Sequence, residues 1–159
     1  MRFHKYIALI AFSACIFVLQ GCSSRQNVEY QYVFPASIWN RFVPVIDTFS
    51  VSDAEKAYDL DISFSVWDNF EHSLIPLQII ITYPDGQESV FVKYVSVRDI
   101  EGKHLGEAKG DVWTISTNVL LNRTFPAQGD YVINIQNLTQ YYDLPNVHAV
   151  AYRLYPHKQ

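Results

Sequence analysis

Cysteine is almost missing from this chain: the only two, Cys15 and Cys22, lie near the N-terminus. That excludes a disulfide framework for everything that follows, and it excludes thiolate metal sites. Long apolar runs are missing too. The longest begins near Tyr6 and covers about 13 residues, short of the roughly 20 that a spanning helix needs. There is no excess of cations, with 12 Lys and Arg against 16 Asp and Glu. This argues against a nucleic-acid backbone as partner and against electrostatic adhesion to anionic lipid. No G-x-S-x-G motif marks a nucleophile. No glycine-rich loop leads into a helix that would hold phosphate. The histidines His72, His104, His148 and His157 do not fall at the i, i+4 spacing of a helical zinc motif. Ordinarily His148 sits on a solvated strand face and His157 in a loose chain end. No cofactor is implied, and a non-enzymatic role is expected.

What is present begins at the N-terminus. Arg2, His4 and Lys5 precede the apolar run, and Leu19-Gln20-Gly21-Cys22 closes it. A positive region, an apolar region, a small residue and then cysteine form the layout of a bacterial lipoprotein signal peptide. The expectation is cleavage after residue 21 and acylation of Cys22, with palmitate-type chains holding the protein at a membrane. Each buried methylene contributes about 0.8 kcal/mol, so more than one chain gives a stable anchor. Residues 22–27 then serve as an acylated tether, and residues 28–159 as one domain. Removing residues 1–21 leaves 138, enough for one domain to bury roughly two-thirds of its surface. Loss of Arg2 and Lys5 takes the formal charge from −4 to −6.

Aromatic residues make up 15% of the chain, and aromatic and β-branched enrichment favours strands. Period-two alternation is clearest from Leu60 to Val66, with Leu60, Ile62, Phe64 and Val66 on one face. Val28–Phe34, Val43–Val51, Leu77–Tyr83, Ser89–Val97, Val112–Leu121, Asp130–Gln136 and Val147–Tyr155 complete the set. Leu77–Tyr83 is apolar nearly throughout, which predicts a central strand. Pro44 lacks a ladder donor, so its strand belongs at an edge or bulge. Asp47 interrupts that strand's apolar face. Pro84-Asp85-Gly86 predicts a hairpin turn with Gly86 at positive φ. Residues 99–111 read as a loop, and Tyr141–Asn146 as a connection. About eight strands at this spacing predict an all-β, antiparallel sandwich of jelly-roll type.

Candidate sites are few. Asp59, Asp61, Asp68 and Glu71 lie near one another in sequence and are a conceivable acid–base or calcium set. Acidic residues on an outward strand face are more often simply solvated. Trp67 falls out of phase with the inward set, and ordinarily such a ring packs under a neighbouring loop. Trp39 and Trp113 flank loops. Tyr141 and Tyr142 are adjacent, so both cannot easily enter one core.

The ordered set Phe34-Pro35, Trp39, Tyr83-Pro84-Asp85-Gly86, Gly102-Lys103-His104-Leu105-Gly106, Gly110-Asp111, Phe125-Pro126, Gly129-Asp130-Tyr131 and Leu144-Pro145-Asn146-Val147 resembles the gliding-motility lipoprotein GldH family of Bacteroidetes. His104 stands where that family tends to have tryptophan. Ser73-Leu74 replaces a more polar, asparagine-containing stretch. The resemblance implies a cell-envelope lipoprotein of the gliding and associated secretion apparatus, without a catalytic set. The expected role is scaffolding: a membrane contact through acylated Cys22 and an envelope protein as partner. The expected docking surface comprises Gly102, Leu105, Gly106 and Gly110 together with Tyr141 and Tyr142. The tether has no acidic run of the sort that signals surface export, which favours a periplasm-facing domain. The alternative is a carbohydrate-binding sandwich. Its mark would be two or three coplanar exposed rings.

Overall fold

A computed structural model describes residues 27–158. The signal, Cys22 and most of the tether therefore lie outside the described residues. Eleven strands follow in order: β1 (Val28–Val33), β2 (Ile38–Asn40), β3 (Val45–Val51), β4 (Ala57–Trp67), β5 (Leu74–Thr82), β6 (Glu88–Ser96), β7 (Glu107–Lys109), β8 (Val112–Thr124), β9 (Gly129–Asn137), β10 (Asp143–Pro145) and β11 (Val147–Pro156). One sheet has the order β1-β11-β4-β8-β7, and the facing sheet has β3-β9-β5-β6. A third, two-stranded sheet pairs β10 with β2. Every pairing is antiparallel.

Eight long strands match the eight alternating segments. The remaining three, β2, β7 and β10, have three residues each, too short to display a period. The segment 99–111 is therefore not all loop, since it contains β7 and an Arg98–His104 bridge. The Tyr141–Asn146 connection likewise contains β10. Four pairs nest along the chain: β1 with β11, β3 with β9, β4 with β8 and β5 with β6. A ribbon of such pairs rolled on itself is a jelly roll, a two-sheet solution to the problem of exposed strand edges.

Strand phase sets the core. Leu60, Ile62, Phe64 and Val66 of β4 are all fully buried, as are Ile75, Leu77 and Ile79 of β5. At about 25 cal/mol per Å² of apolar surface, this burial is the main force holding the sheets together. The rings of Phe49, Phe125, Tyr131 and Tyr152 form an aromatic cluster between them. Asp47 breaks the apolar face of β3 because its Oδ2 accepts a 2.7 Å hydrogen bond from the Tyr152 hydroxyl, across the core. Burial, with Asp47 beside it, pushes the Tyr152 hydroxyl well above the usual tyrosine range. β3 is an edge strand, as Pro44 requires. The β5–β6 hairpin closes with Gly86 at φ +83° and its amide on the Tyr83 carbonyl at 2.9 Å.

The strands give the sandwich two unlike ends. Turns 52–56, 83–87 and 125–128 are short and share an end with Asn27, where the chain enters, and with the C-terminus. The other end carries the segments 34–44, 68–73, 97–111 and 138–146, with β2, β7 and β10 among them. The eleven residues of β4 separate the two ends by roughly 33 Å, at about 3.3 Å per residue.

Candidate functional site

All six residues expected to meet a partner lie at this elaborated end. The segment 97–111 is fastened to the segment 68–73. Arg98 donates from Nη2 to the Asp68 and Phe70 carbonyls at 3.0 and 2.8 Å, and from Nη1 to the Gly102 carbonyl at 2.8 Å. His104 is buried, with Nε2 2.8 Å from the Asp68 carbonyl and its ring stacked 5.0 Å from Trp113. A flat ring at position 104 thus lies against an indole. Gly106 has φ +88°, and a β-carbon there would lie 2.2 Å from the Thr114 carbonyl oxygen. Its requirement is structural: the backbone passes too close for a side chain. Gly102 and Gly110 face open space, and Leu105 is partly exposed.

Tyr141 and Tyr142 border the same 68–73 segment at another point. Tyr141 lies 4.8 Å from the His72 ring, and Tyr142 packs edge-on at 5.3 Å against Phe42. Tyr142 is 71% exposed, Phe42 65% and Val43 51%. Phe42 was not singled out in the sequence, and Val43, read there as the start of the Val43–Val51 strand, instead lies exposed in the turn before that strand begins at Val45. β2 and β10 hold this cluster in place: the Arg41 amide donates to the Tyr142 carbonyl at 2.9 Å, and Asn40 Nδ2 donates to Asp143 Oδ1 at 2.9 Å. The rings meet at 63°, so they make a ridge and not a flat platform.

At the other end of the β2–β10 ribbon is an open cleft of about 520 Å³ lined by Ser37, Trp67, Asp68, Asn69, Asp111 and Asn146 among others. Trp67 Nε1 donates to Ser37 Oγ at 2.8 Å, so this indole packs under the 34–37 segment, as the ordinary reading of an out-of-phase tryptophan has it. Ala36, Ser37 and Asn146 all have positive φ, a conformation that costs a non-glycine residue energy. Sequence periodicity carries no trace of this cleft.

Other candidates fall elsewhere. Trp39 does not flank a loop as an exposed ring; it is fully buried and stacked on Phe34. His157 is not in a loose end, since its Nδ1 lies 2.9 Å from Asp59 Oδ1. His148 is half-buried and edge-on to Trp67 at 5.4 Å. The four carboxylates are dispersed. Asp59 serves His157 and the Asn122 amide, Asp61 serves Asn118 and Tyr155, and Asp68 takes the Trp113 indole N–H. Among the described residues, no three His, Cys, Asp or Glu side chains gather as metal ligands.

The family model of the GldH lipoprotein matches residues 26–154. The chain belongs to the GldH lipoprotein family. No curated protein matches it in sequence. Solved structures align with it at low identity and low TM-score. One from Sulfurospirillum deleyianum is 13% identical with TM-score 0.44, over 83% of this chain and 99% of that one. PliG of Aeromonas hydrophila, a periplasmic inhibitor of g-type lysozyme, is 11% identical with TM-score 0.37, over 87% and 93%. The VP2 subviral particle of infectious bursal disease virus is 12% identical with TM-score 0.39, over 84% and 34%. Membership of the family makes this a lipoprotein of the cell envelope. No helix among the described residues is long and apolar enough to cross a membrane.

Proposed function

We propose that this lipoprotein is a non-catalytic docking module. Acyl chains on Cys22 hold it at the membrane, the domain faces the periplasm, and the elaborated end binds another envelope protein. One observation carries the reading: the exposed Phe42–Tyr142 ridge stands at the end opposite the tether. An anchored domain so arranged presents its aromatic surface away from the lipid. Exposed aromatic rings on a firm base are the usual anchors of protein interfaces. Carbohydrate binding is the weaker reading here, because sugar rings stack on flat platforms and these two rings cross at 63°. The cleft at Trp67 is the place where a sugar would be sought.

The test is a gentle crosslink in the native envelope followed by recovery of the lipoprotein. Phe42→Ser with Tyr142→Ser should lower affinity for the recovered partner about thirtyfold, corresponding to roughly 2 kcal/mol, with the thermal midpoint unchanged. An unchanged complex in the folded double variant overturns the reading. Micromolar binding of a defined oligosaccharide, lost on Asp68→Ala, transfers it to the cleft.

A further inference from the structure

The outward face of the β3-β9-β5-β6 sheet is separate from that ridge and differs from the rest of the surface. The pairing register places Ile46, Asn134, Ile80 and Val90 in one row across all four strands. Gln136, Gln78 and Val92 form the next, and Pro76 with Tyr94 the one after. No residue in these rows is charged. Ile46, Val90, Val92 and Tyr94 are 54%, 52%, 46% and 66% exposed. Lys93, between two of them, points to the inner side of the edge strand β6, where it is half-buried. An inward-pointing charge of this kind discourages sheet continuation edge to edge. The face is left open while the edge is guarded.

We propose that this face is the interface of a homodimer on the membrane. Three features fit a second copy. First, the mature chain carries a formal −6, so two copies repel wherever their carboxylates approach. The three uncharged rows, with Glu88 and Asp130 confined to the turn end of the face, are where they approach with the least of that cost. Second, the amides Gln78 and Gln136 lie side by side in its middle row, and an amide is both donor and acceptor, hence self-complementary about a two-fold axis. Third, both chains enter at the same end of the sandwich, so two copies on one membrane pack with their strands in the same sense. A two-fold along the strands, between β9 and β5, then sets Gln78 over Gln136 of the second copy and Ile46 over Val90. Sheets packed face to face prefer nearly aligned strands.

The area suits a weak dimer. With the Thr48-Val132-Thr82-Glu88 row at one end and Leu74 with Ser96 at the other, four strands and five rows span roughly 15 by 27 Å, or about 400 Å² in projection, near half of what a standard partner buries. Confinement to one membrane raises the effective concentration and favours such contacts.

The mature domain has no thiol after Cys22, which permits single-cysteine probes. Full-length Gln78→Cys in its own membranes, treated with a short bis-maleimide, should give a dimer of the lipoprotein. Ser116→Cys on the opposite sheet should give at least tenfold less. Adding Val92→Glu to Gln78→Cys should lower the yield at least tenfold, because it would bury an unpaired carboxylate. Thermal midpoints establish that each variant is folded, and Gln136→Cys replaces Gln78→Cys if the latter is not. The proposal is overturned if no dimer forms at either amide position, if Ser116→Cys crosslinks equally, or if the main product joins the lipoprotein to a different protein.

Discussion

The two outward faces of this sandwich are made of the same strand type and are chemically unlike. The β1-β11-β4-β8 face is laced with side-chain hydrogen bonds. Asp61 takes bonds from Asn118 Nδ2 at 2.9 Å and the Tyr155 hydroxyl at 2.8 Å, and Ser63 pairs with Ser116, and Ser65 with Thr114, each at 2.9 Å. Its polar groups satisfy one another, so the face contributes to the fold and needs nothing further. The β3-β9-β5-β6 face carries Ile46, Ile80, Val90, Val92 and Tyr94, with Gln78 and Gln136 side by side among them. Its side chains add little to the fold of one chain. The difference teaches that exposure alone does not identify a contact surface. What separates the faces is whether the groups at their centre already have partners, since on the second face the Ser50–Asp130 and Thr82–Glu88 bonds lie at its turn end.

Substitutions sharpen this contrast. The largest loss belongs to neither outer face. Phe64→Ala, on the inner side of β4, should cost about 3–5 kcal/mol in chemical denaturation, as buried aromatic truncations do. Tyr152→Phe removes the cross-core bond to Asp47 and should cost about 1.5–3 kcal/mol, the range for hydrogen bonds to charged groups, read by the same method. On the bonded face, Asp61→Ala should cost about 1–2 kcal/mol, because Asn118 and Tyr155 lose their acceptor to solvent. Its neighbour Ser63→Ala should stay within about 1 kcal/mol. On the apolar face, Val92→Thr should lie within about 0.5 kcal/mol by thermal denaturation of the dilute, monomeric domain. Equal losses at Asp61 and Val92 would erase the distinction between the faces.

Much of the fold was legible because alternation is a direct imprint of a strand with one wet side. Leu60–Val66 and Asp130–Gln136 announce their phase, and Pro84-Asp85-Gly86 announces its turn. Strand order was not legible, because pairing β11 with both β1 and β4 depends on contacts far apart in the chain. β2, β7 and β10 were hidden for a different reason: three residues hold less than two alternations. Of the candidate site, Tyr141 and Tyr142 were visible as a pair too crowded for one core. Phe42 was not, since its exposure follows from the Asn40–Asp143 bond that holds β2 against β10. The apolar outer face was missed because the isoleucines of β5 read as a buried central strand. Ile79 and Ile81 face the core, but Ile80 faces outward.

Asn27, where the tether joins the domain, and the Phe42–Tyr142 ridge lie at opposite ends of the sandwich. Single cysteines at Asp85 and Tyr142 carry the same fluorophore in the acylated protein on liposomes, with a quencher on the lipid headgroups. The account expects strong quenching at Asp85 and almost none at Tyr142, since roughly 33 Å of strand separates the two ends. Quenching at Tyr142 equal to or greater than that at Asp85 would contradict it.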